Sequence, residues 1–225
     1  MEWSAQVDGY CERIDPSFWA EPVNAITNVA FLISAYIMWR RVKGQGLSLA
    51  SLLVAILAVI GAGSFLFHTF ATVWASTADV APILVFILVY IYVANRAYWG
   101  LNLLPALALT ALFFPYAAIT VPMFSKFEFL GSSSAYAPVA LLIFIYAVLL
   151  KQRLPVVAKG LQFGCMLLVL SLFFRATDLP ICQYASLGTH FMWHILNAIM
   201  LGWMIEVYRR HAIAGRQAQE TKDHK

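Results

Sequence analysis

The chain has 225 residues, of which 62% are hydrophobic and only 12% are charged, and its formal net charge is +4. Soluble domains carry roughly 25% charged residues, so this composition excludes an ordinary water-soluble globular protein. The mean hydropathy of +0.76 indicates an integral membrane protein, and the small positive excess, mostly in short connections and the tail, does not indicate nucleic-acid binding.

Apolar stretches long enough to cross a bilayer follow one another along the chain, since a span needs roughly 20 apolar residues. Polar, basic or Gly- and Pro-rich segments separate them. We therefore predict an all-α fold, a seven-transmembrane helix bundle. The predicted spans lie near 23–40, 48–70, 79–96, 101–123, 135–151, 156–175 and 188–208.

Three regions follow from this pattern. Residues 1–22 form an extramembrane N-terminal segment, residues 23–211 form the seven-helix domain, and residues 212–225 read as a disordered cytoplasmic tail.

The basic residues predict the orientation, because cytoplasmic connections accumulate Lys and Arg. One set of alternate connections holds only Arg13, Lys126 and Arg175. The other set is much richer, which predicts an N-terminus outside and a C-terminus in the cytoplasm. Its members are Arg40, Arg41, Lys43, Arg96, Lys151, Arg153, Lys159, Arg209, Arg210, Arg216, Lys222 and Lys225.

Three histidines are predicted to lie at one depth, in the outer half of the membrane. His68 closes the second span, and His190 and His194 open the seventh, where their spacing of four places them on one helix face. Ser64 lies one turn before His68, and Asp79 begins the third span after a short outer loop. Ionisable groups inside a membrane indicate a functional site.

Three imidazoles with an open fourth position are the ligand set of a catalytic zinc site, where bound water has a pKa of about 7. Asp79 would orient a histidine or accept the proton of that water, and Ser64 would donate to an oxyanion. Buried histidines that only form hydrogen bonds are the simpler alternative. A haem held by two histidines is another, although it leaves Ser64 and Asp79 unexplained. The seventh span has no lysine for a retinal Schiff base.

Four segments in the same order resemble the alkaline ceramidase family. They are "YCERIDPSFWAEPVNAITN", "GAGSFLFHTFATVWASTADVAP", "FFRATDLPIC" and "HFMWHILNAI", and together they extend from residue 8 to about residue 200. The resemblance implies a seven-helix intramembrane hydrolase of the superfamily that also includes adiponectin-receptor-like proteins. Its members hydrolyse the amide of ceramide to a sphingoid base and a fatty acid.

The resemblance implies that His68, His190 and His194 bind zinc, with Ser64 and Asp79 beside the metal as catalytic residues. The substrate would be ceramide or a ceramide-like lipid that reaches the site from the bilayer. A metal-containing lipid receptor or sensor without turnover is the alternative function.

A calcium site in the amino-terminal segment is also implied by the resemblance, through Asp8, Glu12 and Glu21. The sequence departs from the family pattern here, because Gly9 stands where the first acidic residue is expected and Ile14 stands near an expected Asn. An ordinary solvated leader is the alternative for these residues.

Cys11 and Cys182 both lie on the predicted outer side, where an oxidising compartment allows disulfides, and the resemblance also pairs them. Cys165 would be a buried free thiol. Arg175 and Asp178 are three residues apart, which favours a structural ion pair over contact with substrate. Short loops and the lack of an organelle signal favour a bacterial inner membrane, although an ER or Golgi membrane also fits.

Overall fold

The structure, a computed structural model, describes residues 2–223, and those residues form an α-helical bundle without a named strand. Nine α-helices follow in chain order, with a 3-10 helix, Glu128–Ala135, between the sixth and the seventh. They are Pro22–Thr27 (α1), Val29–Val42 (α2), Ser48–Phe70 (α3), Val73–Ala97 (α4), Leu103–Ala111 (α5), Phe113–Phe124 (α6), Ala137–Leu150 (α7), Pro155–Ile181 (α8) and His190–Asp223 (α9).

Six segments of the described chain are long and apolar enough to cross a membrane, or seven if one bent pair is counted. The helices α1 and α2 together make one span, and so do α5 and α6. The bent pair is the 3-10 helix with α7, which meet at 72°. The predicted count of seven therefore requires that this pair act as a single span.

The helices α3 and α9 lie at the centre of the bundle. Helix α3 packs against α2, α4 and α9, and helix α9 packs against α2, α3 and α8. Close approach depends on small residues, as is usual between helices in membranes. A side chain at Gly61 would meet Phe31 of α2, and one at Gly160 would meet Val207 of α9. The helices α3 and α9, which carry the predicted metal ligands, also pack directly against each other.

Helix α4 begins earlier than predicted, so that Asp79 lies two turns inside it rather than at its start. Only two residues, Ala71 and Thr72, join α3 to α4, and Ala71 takes a left-handed conformation with φ 46°. The amino-terminal segment completes this tight turn: Val7 N–H donates to the Ala71 carbonyl, and Val73 N–H donates to the Ala5 carbonyl. A prediction made from each helix separately could not include these hydrogen bonds with the amino-terminal segment.

The predicted disordered tail, 212–225, is wrong for the residues that the structure describes, because α9 continues to Asp223. Most of its last residues have high helix propensity. The Arg216 guanidinium donates to the carbonyls of Gln45 and Gly46, which fixes the helix against the α2–α3 connection. Residues 224–225 lie outside the described range.

Candidate metal centre

Three fully buried histidines meet at one end of the bundle, which we call the cap end because residues 2–21 cover it. His68 comes from the last turn of α3, and His190 and His194 come from the first two turns of α9. One nitrogen from each ring lies within 4.8 Å of the others. The structure thus brings together the three histidines that the sequence singles out.

Two of the three rings are oriented by hydrogen bonds on the side away from the cluster. His68 Nδ1 lies 2.6 Å from Oε2 of Glu21, and His194 Nδ1 lies 2.9 Å from Oγ1 of Thr27. The Thr27 hydroxyl has one hydrogen, which it donates to a backbone carbonyl of α1, so it accepts from His194. Partners of this kind fix the tautomer of histidines that bind metals.

These outer bonds leave the Nε2 lone pairs of His68 and His194 facing each other at 3.0 Å. Two lone pairs at this distance repel each other unless a cation lies between them. His190 Nδ1 is also buried, without a hydrogen-bond partner in the described residues. Imidazole nitrogens suit zinc and other late transition metals, so the donor set fits a metal ion.

The same geometry argues against the haem alternative. The ring centroids of His68 and His194 are 4.7 Å apart, and both rings also touch His190. No space remains between them for a porphyrin.

Ser64 and Asp79 lie beside the histidines, on α3 and α4. Ser64 is buried one turn before His68, and Asp79 is partly buried, with Ser64 as a hydrogen-bonding neighbour. The two helices approach closely here because Gly63 has no side chain. A side chain at this position would collide with the Ala78 carbonyl. Among the described residues, Asp79 is not a member of the three-histidine cluster.

The residues predicted to bind calcium do not converge. Asp8 is exposed, and the Glu12 carboxylate accepts the amides of Val23 and Asn24, which caps the start of α1. Within residues 2–223, the histidine cluster is the one group of three or more His, Cys, Asp or Glu side chains close enough to hold an ion. The described donors therefore do not fit calcium at this position.

Glu21 is instead shared between a histidine and an arginine. Its Oε1 accepts from Arg13 Nε at 2.6 Å, while its Oε2 faces His68. Burial alone would raise the pKa of this carboxyl, but the hydrogen bonds with His68 and Arg13 outweigh it and lower the pKa. Glu21 is therefore a buried carboxyl group whose partners favour its ionised form.

A disulfide joins Cys11 to Cys182, and Cys165 is a free, half-buried thiol. The bridge links the amino-terminal segment to the chain that follows α8. It therefore fixes the cap over the histidines.

The predicted ion pair between Arg175 and Asp178 is wrong, because no such contact is present among the described residues. Asp178 accepts the amides of Cys11, Thr189 and His190, so its carboxylate caps the start of α9. The turn before α9 needs Gly188, whose φ is 64° and where a side chain would collide with Asp178.

Arg175 lies among aromatic rings instead. Its guanidinium carbon is 5.2 to 5.7 Å from the ring centroids of Tyr10, Tyr136 and Trp193, which suits a cation–π contact. It also donates to the Tyr10 hydroxyl at 3.2 Å. Tyr10 in turn stacks on His190 with centroids 3.7 Å apart.

Sequence reasoning missed the contacts of five residues with the histidines or their backbone: Arg13, Thr27, Tyr10, Glu21 and Asp178. Four of them lie in or next to the amino-terminal segment, which has no helical or strand periodicity to predict its path. The one sequence signal was the proline after Glu21. Proline is typical of a first helical position, so it indicates a helix that includes Thr27.

Comparison with known proteins adds one finding. A family model described as Ceramidase matches residues 3–224, which is nearly the whole chain. A search of curated proteins finds no match. Because the family match covers the fold, the histidine cluster and the cap together, the chain belongs to the ceramidase family, whose members are hydrolases of amide bonds.

Proposed function

We propose that this protein is a zinc-dependent intramembrane amidase that hydrolyses the N-acyl bond of ceramide or a ceramide-like lipid. The observation that carries the proposal is the pair of Nε2 atoms of His68 and His194, which face each other at 3.0 Å with their other ring nitrogens already bonded. That arrangement suits a cation, because without one the two nitrogen lone pairs would repel each other.

His68, His190 and His194 would hold the ion. Zinc with three imidazole ligands supplies a polarising charge for a carbonyl and a water that loses its proton near neutral pH. Asp79, which is not in the ligand cluster, would accept a proton from the attacking water and return it to the leaving nitrogen as the carbon–nitrogen bond breaks. Ser64 donates its hydroxyl hydrogen to the amide oxygen as negative charge develops there.

An apolar groove gives the lipid tail a place to lie near the site. Its volume is about 960 Å³, and it runs between α6, α7, α8 and the 3-10 helix. Thr177 lines its edge and lies 3.2 Å, hydroxyl to hydroxyl, from Thr189, the residue before His190. A lipid chain in this groove would contact Thr177, whose neighbour Thr189 precedes the first histidine of α9.

The cap end would face the non-cytoplasmic side, and the protein would be a multi-pass protein of a bacterial inner membrane. The charge asymmetry of the connections supports this orientation. A green fluorescent protein fused after residue 225 should fluoresce, and alkaline phosphatase at the same place should be inactive. The reverse result would contradict the orientation.

The function is tested by incubating purified protein with a panel of labelled N-acyl lipids, with and without a chelator, beside elemental analysis. We expect fatty acid release that stops on chelation and returns with zinc. Asp79→Asn should keep the metal but lose release by about 10²-fold to 10⁴-fold, the range for a general base. Metal without chelator-sensitive release from any lipid would favour the receptor or sensor alternative.

A further inference from the structure

The amino-terminal segment contains a buried cation of its own. Arg13 is only 7% exposed, although arginine is seldom buried without partners. Its Nε donates to Glu21 Oε1 at 2.6 Å, and one terminal nitrogen donates to the carbonyls of Asp15 and Ser17 at 3.1 and 3.3 Å. The other donates to the His68 carbonyl at 3.1 Å. Four of its five N–H groups are therefore used.

The acceptors around Arg13 are all oxygens: one carboxylate oxygen and three carbonyls. Calcium prefers this type of donor and takes about six to eight of them. Here the four oxygens surround the guanidinium, each accepting from one of its three nitrogens. The other acidic side chains are committed elsewhere, Glu12 to the start of α1 and Asp8 to solvent.

Arg13 also contacts His68 by two routes. It binds the His68 carbonyl directly, and it binds the carboxylate of Glu21, whose second oxygen faces the His68 ring. Both the backbone and the imidazole of one metal ligand are thus fixed by a single guanidinium.

We propose that Arg13 is a built-in cation that replaces calcium in the cap and acts as a positioning residue for His68. The proposal rests on the metal centre of the proposed function, but not on the amide reaction. In the wild-type protein the cap takes no calcium, and retention of the metal at the histidines does not depend on calcium.

The first test is the wild-type protein with calcium alone. We expect titration of the zinc-loaded protein with CaCl₂ to release no binding heat at this position. Zinc retention against a chromophoric chelator should be the same in calcium-free buffer and in millimolar CaCl₂. Stoichiometric calcium binding that raises zinc retention would overturn the proposal.

The second test compares variants by zinc retention and by the visible spectrum of the cobalt-substituted protein. Arg13→Gln should weaken zinc retention by about 10-fold to 100-fold, the range for groups that orient a ligand, and shift the cobalt bands. Arg13→Lys keeps the charge and should recover part of the loss. Arg96→Gln removes an exposed arginine that binds one carbonyl and is the matched control. Wild-type retention in Arg13→Gln would overturn the proposal.

The third test asks whether the ion and the guanidinium are equivalent. Arg13→Ala vacates the four oxygens, so millimolar CaCl₂ should raise its zinc retention while leaving the wild type unchanged. Failure of calcium to act on Arg13→Ala would contradict the equivalence. If neither neutral variant folds, Arg13→Lys and the wild-type titration decide, and neither readout requires a substrate.

Discussion

Glu21 and Glu206 are two buried glutamates at opposite ends of the bundle, and they have different partners. Both side chains are 3–4% exposed. Glu206, on α9, is bound by Arg41, Arg209 and Arg210, and two of these arginines are about half exposed. Glu21 has a single arginine, and its other oxygen faces His68.

The comparison shows how one residue type serves two purposes. The charge of Glu206 is neutralised by several arginines at the surface, so its contribution is to hold α9 to the end of α2. Glu21 binds Arg13 through Oε1, and its Oε2 accepts from Asn24 and polarises the N–H of His68. A histidine with such a partner is a better metal ligand than one without.

The largest effect should come from removing the imidazole that Glu21 orients. In His68→Ala the zinc content should fall to about a tenth of one per chain or less, because two nitrogens remain from a set of three. Elemental analysis after gel filtration measures it. His211→Ala is the control, since His211 contacts the Ala97 carbonyl and the Tyr98 ring and is not a member of the histidine cluster. Full zinc content in His68→Ala would place the metal elsewhere.

The two glutamates themselves give the next largest difference. Glu21→Gln should lower zinc affinity by about 10-fold to 100-fold. Glu206→Gln should leave zinc affinity unchanged and lower the free energy of unfolding by about 1–3 kcal/mol, because it leaves arginines with a weaker acceptor. Chelator competition and thermal unfolding in detergent separate the outcomes. Equal zinc affinities in the two variants would break the comparison.

A smaller loss is expected at Thr27, which is a neutral partner of a ligand. Thr27→Val removes the acceptor for His194 Nδ1 and should reduce zinc affinity by roughly 10-fold, the lower end of the range for such partners. Thr110→Val is the matched control, because that hydroxyl also donates to a carbonyl one turn back but lies far from the histidines. A Thr27→Val protein that retains zinc like Thr110→Val would remove Thr27 from the site.

The smallest effect should follow loss of the disulfide, since the hydrogen bonds of the cap remain. Cys182→Ser should release zinc to a chelator a few-fold faster than the wild type, whereas Cys165→Ser should not. Thiol titration of denatured, unreduced wild type should find one free thiol, that of Cys165. Three thiols would refute the bridge.

The helical parts of the molecule could be predicted from the sequence better than the cap. Hydropathy gave most of the spans, and the spacing of His190 and His194 placed both on one face. The Glu206 pairs with Arg209 and Arg210 also have helical spacing, so they could be found in the same way. Local periodicity carries all of this information.

The contacts of the cap depend on tertiary structure instead. Glu21 and His68 are 47 residues apart, and Arg13 lies in an irregular segment whose path is set by Cys182 and by the α3–α4 turn. The ion pair expected between Arg175 and Asp178 failed for the same reason. Asp178 accepts hydrogen bonds from backbone amides that are distant in sequence, and these replace the expected pairing with Arg175.

The shared carboxylate of Asp178 has a practical consequence for handling the protein. It accepts the backbone amides of both Cys11 and His190, so a group attached to the amino terminus could disturb the carboxylate that also holds a predicted metal ligand. At the other end of the described chain, Asp223 is separated from His190 by the length of α9, which has 34 residues and is about 50 Å long. Affinity tags, dyes and immobilising linkers therefore belong at the carboxyl end.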